Sequence, residues 1–350
     1  MVEFVRGNLL DADVDALVNT VNTEGVMGKG VALQFRRAFP ANYDAYKAAC
    51  SQGEVAIGRM FVTETHKLDG PRLIINFPTK RHWRSKSQLA DIEAGLADLR
   101  RVLVDGGVRS VAVPALGCGL GGLRWPDVKP LIEAALGDLD TRVLVFPPQA
   151  APAPERMRDE RPAPGLTPAR AALIGLISRY VPPEEGATPL VVQKLLYFLQ
   201  TAGEPLQRVK FVRQKYGPYA DAARHLVQAL EGHYLSGYGD GTGNRAVRLL
   251  PDAAEEAEAF LRDYPETLAR FERIGDLIEG FETPYGLELL ATTYWAATCE
   301  GASDLEAATS VVREWSARKE RLFTREHVAV AWNRLEDGGW LVGSQVPIPA

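Results

Sequence analysis

Ala16-Leu17-Val18-Asn19-Thr20-Val21-Asn22-Thr23-Glu24-Gly25-Val26-Met27-Gly28-Lys29-Gly30 opens apolar and closes on glycine. Residues 16–19 have the length and composition of a buried strand, and residues 30–39, stopped by Pro40, have helical spacing. A strand that passes through a glycine-rich loop into a helix is the building unit of α/β folds. The pattern extends in both directions. Residues 2–5 read as a strand, 42–50 as more helix, and 60–63 and 73–77 as strands. Residues 87–105 form a long amphipathic helix whose Ser87 and Asp91 suit its first turn. A strand at 110–113, a helix at 127–136 and a strand at 142–146 close the series. The expectation is an α/β domain with a mixed sheet flanked by helices on both faces.

Loops at the carboxyl ends of such strands bind ligands. Three qualify: Gly7-Asn8-Leu9-Leu10, the 19–30 segment above, and Leu116-Gly117-Cys118-Gly119-Leu120-Gly121-Gly122. Glycine lets a backbone approach a ligand and present bare N–H groups, which favour phosphate. Tight turns also use glycine, but two such loops with asparagines beside them favour a diphosphate held between them. No G-x-G-x-x-G opens the first helix, and Lys29 is not followed by Ser or Thr, so neither the Rossmann nor the Walker pattern is met.

The 350 residues suit two domains. Pro147-Pro148 and the Pro- and Ala-rich stretch after it read as a linker over 148–166, giving domains at 1–147 and 167–350. In the second, helical periodicity runs over 168–180, 189–200, 219–231, 253–279, 285–298, 304–317 and 325–335, with strand-like stretches only at 207–211 and 247–249. A mostly α-helical C-terminal domain is expected. The net charge of −5 is uneven: 18 basic and 17 acidic side chains up to residue 150, then 22 and 28. Such a chain does not hold nucleic acid by a global positive field. Cys50, Cys118 and Cys299 form no paired-ligand motif, so neither structural zinc nor any other metal is expected, and a reducing compartment is. With no basic-then-apolar leader and no long uncharged apolar run, the expectation is a cytoplasmic protein with no membrane partner.

Gly7-Asn-Leu-Leu, Ala16-Leu-Val-Asn-Thr-Val-Asn22, Gly28-Lys-Gly-Val and Pro114-Ala-Leu-Gly-Cys-Gly-Leu-Gly-Gly122 together resemble a macrodomain, over residues 1 to about 147. Asn76-Phe-Pro-Thr79-Lys80-Arg-His-Trp-Arg-Ser-Lys86 is similar to the DarG group, antitoxins that oppose a DNA ADP-ribosyltransferase toxin of the DarT type. The resemblance implies ADP-ribose as the bound group and Lys80 as the catalytic residue. It implies Asn8 and Leu9 near the adenosine, and Thr20, Val21 and Asn22 at the distal ribose. It places Val31 at the start of the helix facing the diphosphate, and Gly117, Cys118, Gly119, Leu120 and Gly121 around the diphosphate. Thr79 would reach the distal ribose beside Lys80. It implies ADP-ribosylated single-stranded DNA as substrate, the toxin as partner and no cofactor. Many macrodomains carry Asp where Asn8 stands. Related lysine-dependent glycohydrolases carry an acid at the place of Gly121, so a Lys/Asp pair is not implied here.

Breaking a base–ribose bond at C1″ needs a nucleophile or stabilisation of an oxocarbenium-like centre. A neutral lysine amine can attack C1″ or form a Schiff base with the opened sugar. Its ordinary pKa of about 10.4 must first fall. Phe77, Pro78 and Trp83 offer apolar surroundings, and Arg81, Arg84 and Lys86 offer positive charge. The same basic stretch with its interleaved Trp83 suits a DNA backbone and an unstacked base, or is simply a solvated loop. His82 is a candidate acid, base or phosphate contact. Cys118 lacks an activating base and reads as a small loop residue. Val192-Gln-Lys194-Leu-Leu-Tyr-Phe198 with Lys215-Tyr-Gly-Pro-Tyr219 resembles the Panacea or SocA-like antitoxin domain. Residues 252–288 carry 11 acidic and 3 basic side chains, a solvated face or a surface for a basic toxin groove. The resemblance thus favours a DNA ADP-ribosyl glycohydrolase fused to a toxin-binding domain. The alternative is an ADP-ribose reader without hydrolase activity, its antitoxin role confined to the C-terminal domain.

Overall fold

The computed structural model describes residues 1–67, 69–181, 185–207, 209–240 and 245–341. The described residues fall into two compact units, one of residues 1–162 with 239 and 240, the other of 163–238 and 245–341.

The first unit is an α/β layer structure. Its strands are β1 (Val2–Phe4), β2 (Ala16–Asn22), β3 (Phe61–Glu64), β4 (Leu73–Lys80), β5 (Ser110–Pro114) and β6 (Arg142–Phe146). Among the described residues they form one six-stranded sheet in the order β1-β6-β5-β2-β4-β3. All neighbours are parallel except β3, which runs antiparallel to β4. The helices are α1 (Gly30–Ala38), α2 (Pro40–Ser51), α3 (Leu89–Asp105) and α4 (Trp125–Leu136). Strand alternation divides the core. Ala16, Val18, Ile75, Phe77, Val111 and Val113 pack with Ile92, Leu96, Leu99 of α3 and Val128, Ile132 of α4. Leu17, Ile74, Ala112 and Leu144 pack with Phe35 and Ala38 of α1. Both faces are covered, which is why these strands read as apolar runs rather than alternating ones.

The chain leaves β2 through α1 toward β4 and leaves β5 through α4 toward β6. β2 and β5 are neighbours, so their connections diverge in opposite directions and a crevice opens between their carboxyl ends. This is where the sequence placed the two long glycine loops. The mixed sheet with flanking helices is as expected. One local expectation fails: α3 starts at Leu89 with Gln88 before it, and Ser87 is not its cap. After β6, Gln149 bonds with the Gly7 backbone, Arg158 pairs with Asp11 and Lys67 with Glu160.

The second unit is mostly helical. Its helices are α5 (Pro168–Tyr180), α6 (Pro189–Thr201), α7 (Ala223–Leu230), α8 (Ala253–Leu261), α9 (Pro265–Ile278), α10 (Pro284–Cys299), α11 (Leu305–Glu314), α12 (Ala317–Leu322) and α13 (Arg325–Asp337). Three of them begin with the same device. Thr167, Thr188 and Thr283 accept from an N–H three residues on, and each is followed by a proline whose missing N–H costs the helix nothing. α10 is buried almost all round, in keeping with its run Leu287-Glu-Leu-Leu-Ala-Thr-Thr-Tyr-Trp-Ala296.

Four expected elements differ. The 253–279 helix is two, because Pro265 starts a new one. The 304–317 helix ends at Glu314, and Ser316 caps α12. The strand expected at 207–211 is displaced. Phe211 is core, and the pairing is between β7 (Val212–Gln214) and β8 (Gly217–Tyr219), which also delays the helix expected from 219 until Ala223. Arg208 of that expected strand and residues 342–350 lie outside the described residues. A further short pair, β9 (Leu235–Ser236) with β10 (Arg248–Leu249), meets the expectation at 247–249.

The two motifs singled out in this half meet. Gln193 bonds both the N–H and the carbonyl of Ala220, each at 3.0 Å, and Lys194 Nζ donates to Pro218 O at 2.6 Å. Beside them Lys319 Nζ donates to Glu288 at 2.6 Å and to Thr292 at 3.0 Å, while Arg318 grips Glu288 through two nitrogens. Glu288 and Lys319 are 2% and 0% exposed. Burial pushes Lys194 down to about 7 and Lys319 to about 8. Burial pushes Glu288 up, but Arg318 and Lys319 outweigh it and hold the carboxyl below its usual range. Among the described residues no helix is long and apolar enough to cross a membrane.

Candidate active site

Lys80 is the last residue of β4, and the sequence explains how it gets there. β3 begins opposite Asn76 and runs back along the earlier part of β4, so beyond Asn76 β4 is paired only with β2 among the described strands, and Pro78 is tolerated despite its missing N–H. Val21 pairs with Pro78, but Asn22 pairs with Lys80, leaving Thr79 as an extra residue in a bulge. Bulges re-aim side chains at strand ends. Thr79 is buried and donates to Val21 O at 3.3 Å. Lys80 Nζ donates to Trp83 O at 2.9 Å and stands 3.5 Å from Leu120 O. Among the described residues it forms no ion pair.

Burial alone lowers the Lys80 pKa. The expected help from neighbouring cations is absent. Arg81 is tied to Asp91 at 3.0 Å, and Arg84 lies 4.4 Å from the centre of the Trp83 ring. His82 stacks on Trp83, accepts from Arg84 N at Nδ1 and sits 3.6 Å from Glu24. Thr23 donates to Arg81 O through both N–H and hydroxyl. The loop after β2 and the loop after β4 are thus joined at the rim.

Asn22 shapes the first of these loops. Its Oδ1 accepts from Glu24 N and Val26 N, its Nδ2 donates to Val26 O at 2.6 Å, and Tyr46 OH donates to its carbonyl at 2.6 Å. α1 then begins without a side-chain cap, with half-buried Val31 in its first turn. Across the crevice, the loop after β5 turns at Gly117 and Gly122, both in the left-handed region. Cys118 N, Gly122 N and Leu123 N are used inside the loop. Those of Gly119, Leu120 and Gly121 have no protein acceptor among the described residues. Leu120 is 59% exposed. The Cys118 thiol is pushed up to about 11 by burial and Asp127, which disfavours a resting thiolate.

The residues expected at the sugar and diphosphate therefore converge on one crevice, on the loops after β2, β4 and β5. Asn8 and Leu9 follow β1, at the same carboxyl edge. Asn8 caps a single 3-10 turn and bonds Asp11. Leu9 and Val21 turn into the core, so only their peptide groups can meet a ligand; half-buried Thr20 lies beside Val21 on β2. Sequence reasoning missed the layer beneath. Asn19 Nδ2 donates to Asn76 Oδ1, Asn76 Nδ2 to Asn42 Oδ1, and Thr63 also donates to Asn42. The signal was present: Asn19 and Asn76 are polar residues at the same register inside apolar strands. Among the described residues no cluster of three His, Cys, Asp or Glu side chains could hold a metal ion.

A doubly covered sheet with a glycine loop and a helix start facing each other across the crevice is the arrangement of a macro domain, and residues 18–132 match the Macro domain family. A protein of Thermus aquaticus named DNA ADP-ribosyl glycohydrolase is 49% identical over 97% of this chain and 94% of its own length. The chain belongs to the DNA ADP-ribosyl glycohydrolase family, the DarG hydrolases. A solved macrodomain of Mycobacterium tuberculosis DarG is 55% identical over 43% of this chain and 99% of its own, with a TM-score of 0.42. A Thermosipho africanus protein named a DNA ADP-ribosyl transferase-DNA ADP-ribosyl glycohydrolase fusion is 35% identical over 42% of each chain.

Proposed function

We propose that this chain removes ADP-ribose from the bases of ADP-ribosylated single-stranded DNA, with Lys80 as the reacting group. The observation that carries the reading is the setting of Lys80. It is a half-buried amine at a strand end, depressed in pKa by burial, held among the described residues only by backbone carbonyls, and adjoining the 117–121 loop. An amine with no carboxylate partner can give up its proton without losing an ion pair. In the neutral form it attacks C1″ as the bond to the base breaks, and the proton that its nitrogen sheds on bonding goes to the leaving base. Water then cleaves the lysine adduct, releasing ADP-ribose and restoring the amine. The N–H groups of Gly119, Leu120 and Gly121 would hold the diphosphate and fix C1″ over Nζ, with Asn22 and Tyr46 shaping the opposite wall. In this proposal the reaction runs in the cytoplasm.

In the same proposal residues 1–147 form the catalytic module, 148–166 the linker, and 167–350 bind the cognate DNA ADP-ribosyltransferase toxin. The transferase–glycohydrolase fusion supports this pairing of activities. Ten of the eleven acidic side chains of 252–288 are exposed, which supports docking to a basic surface; Glu288 is the buried exception. Neutralising five of them should weaken toxin affinity, and an unchanged affinity would refute the acidic face as the contact.

Wild type and Lys80→Ala, incubated with singly ADP-ribosylated single-stranded DNA, test the catalytic part. Release by wild type and not by the variant, with ADP-ribose binding kept in both, is expected. Binding by both and release by neither would make the domain a reader. Turnover should climb with pH and level off below the ordinary lysine pKa of about 10.4, because the neutral amine is the reactive form.

A further inference from the structure

Ser87 lies under the glycine loop after β5. It is 6% exposed, and its N–H donates to Gly121 O at 2.9 Å. Its hydroxyl is enclosed and has no hydrogen-bond partner among the described residues. Oγ stands 2.3 Å from the place a Cβ on Gly121 would take and 3.3 Å from that of one on Gly117. The side chain therefore fills the space that these two glycines leave open, with its polar atom aimed at the loop backbone. An enclosed hydroxyl without a partner is costly, and alanine would fill almost the same space without that cost. The same loop carries the three N–H groups that also lack a protein acceptor among the described residues.

We infer that Ser87 is a positioning residue for the phosphate-binding loop, and that its hydroxyl makes its hydrogen bond in the diphosphate-bound arrangement and not in the free one. The inference rests on the reading of residues 117–121 as the diphosphate site. Leu120 O is also a neighbour of Lys80 Nζ, so a loop settled by Ser87 settles the surroundings of the amine as well.

The test uses the full chain, wild type and Ser87→Ala, with ADP-ribose titrated by calorimetry and melting temperature measured without ligand. Affinity should fall about tenfold, the worth of one net hydrogen bond. The ligand-free melting temperature should stay level or rise, because the variant loses a buried polar atom that had no partner. A hydroxyl that served only the fold would move stability down and leave affinity alone. An unchanged affinity overturns the inference, and so does a ligand-free melting temperature lowered by more than about 2 °C. Failure of the wild type to bind ADP-ribose removes the diphosphate reading and this inference together, and it shows in the wild-type titration before any variant is compared.

Discussion

Lys80 stands half-buried at a strand end with two backbone carbonyls beside it, whereas Lys194 and Lys319 lie wholly inside the helical unit around one carboxylate. All three have depressed pKa values and burial as the main cause. What separates them is the partner set. Glu288 and Thr292 satisfy Lys319, and Pro218 O takes Lys194, so these amines tie α12 to α10 and α6 to the 212–219 hairpin. Among the described residues Lys80 holds only loop backbone and faces no counter-charge. A depressed lysine thus marks chemistry in one unit and architecture in the other, and its neighbours tell which.

The largest expected contrast is between removing Lys80 and removing Glu288. Lys80→Ala should cut turnover by about 10³-fold or more while leaving the melting temperature within about 2 °C. Glu288→Ala should leave Lys319 buried without its counter-charge and destabilise the helical unit by about 3–5 kcal/mol, measured by denaturant unfolding. Comparable losses of stability from both would erase the distinction. A smaller effect concerns pH. The unfolded chain keeps lysine protonated up to about pH 10.4, while folded Lys194 and Lys319 release their protons near 7 and 8. Between these limits the unfolded state binds more protons, so their contribution to stability rises with pH across the window. Lys194→Met should flatten the rise of melting temperature between about pH 7 and 9, and an unaltered slope would assign the pH dependence elsewhere.

The strand-to-helix alternation was readable from sequence because both faces of the central strands are buried, so β2, β4, β5 and β6 read as mainly apolar runs. The same fact hid the roles of Leu9 and Val21, which look like loop residues in line but turn into the core. Ser87 reads from sequence as a first-turn residue of its helix, but the helix starts two residues later, and the hydroxyl lies beneath a loop that joins the site from 30 residues further along the chain. No local pattern reports such a contact. The partners of Lys80 were hidden for the same reason: cations that adjoin it in sequence are occupied by Asp91 and Trp83. In the helical unit, Pro265 and Ser316 could have been read as breaks, since each is an ordinary helix-start residue.

The extra residue at Thr79 makes the site depend on counting as well as on chemistry. Along a strand, side chains alternate between faces, so a change of one residue in length exchanges the face that every later residue presents. Substitutions among the residues that follow Lys80 alter only what surrounds the amine. An insertion or deletion between Phe77 and Lys80 alters which side chain arrives at the crevice at all. Descendants of this chain are therefore free to drift in the composition of the rim but are held to a fixed length at the end of β4, and an engineer recombining such domains should place no crossover there.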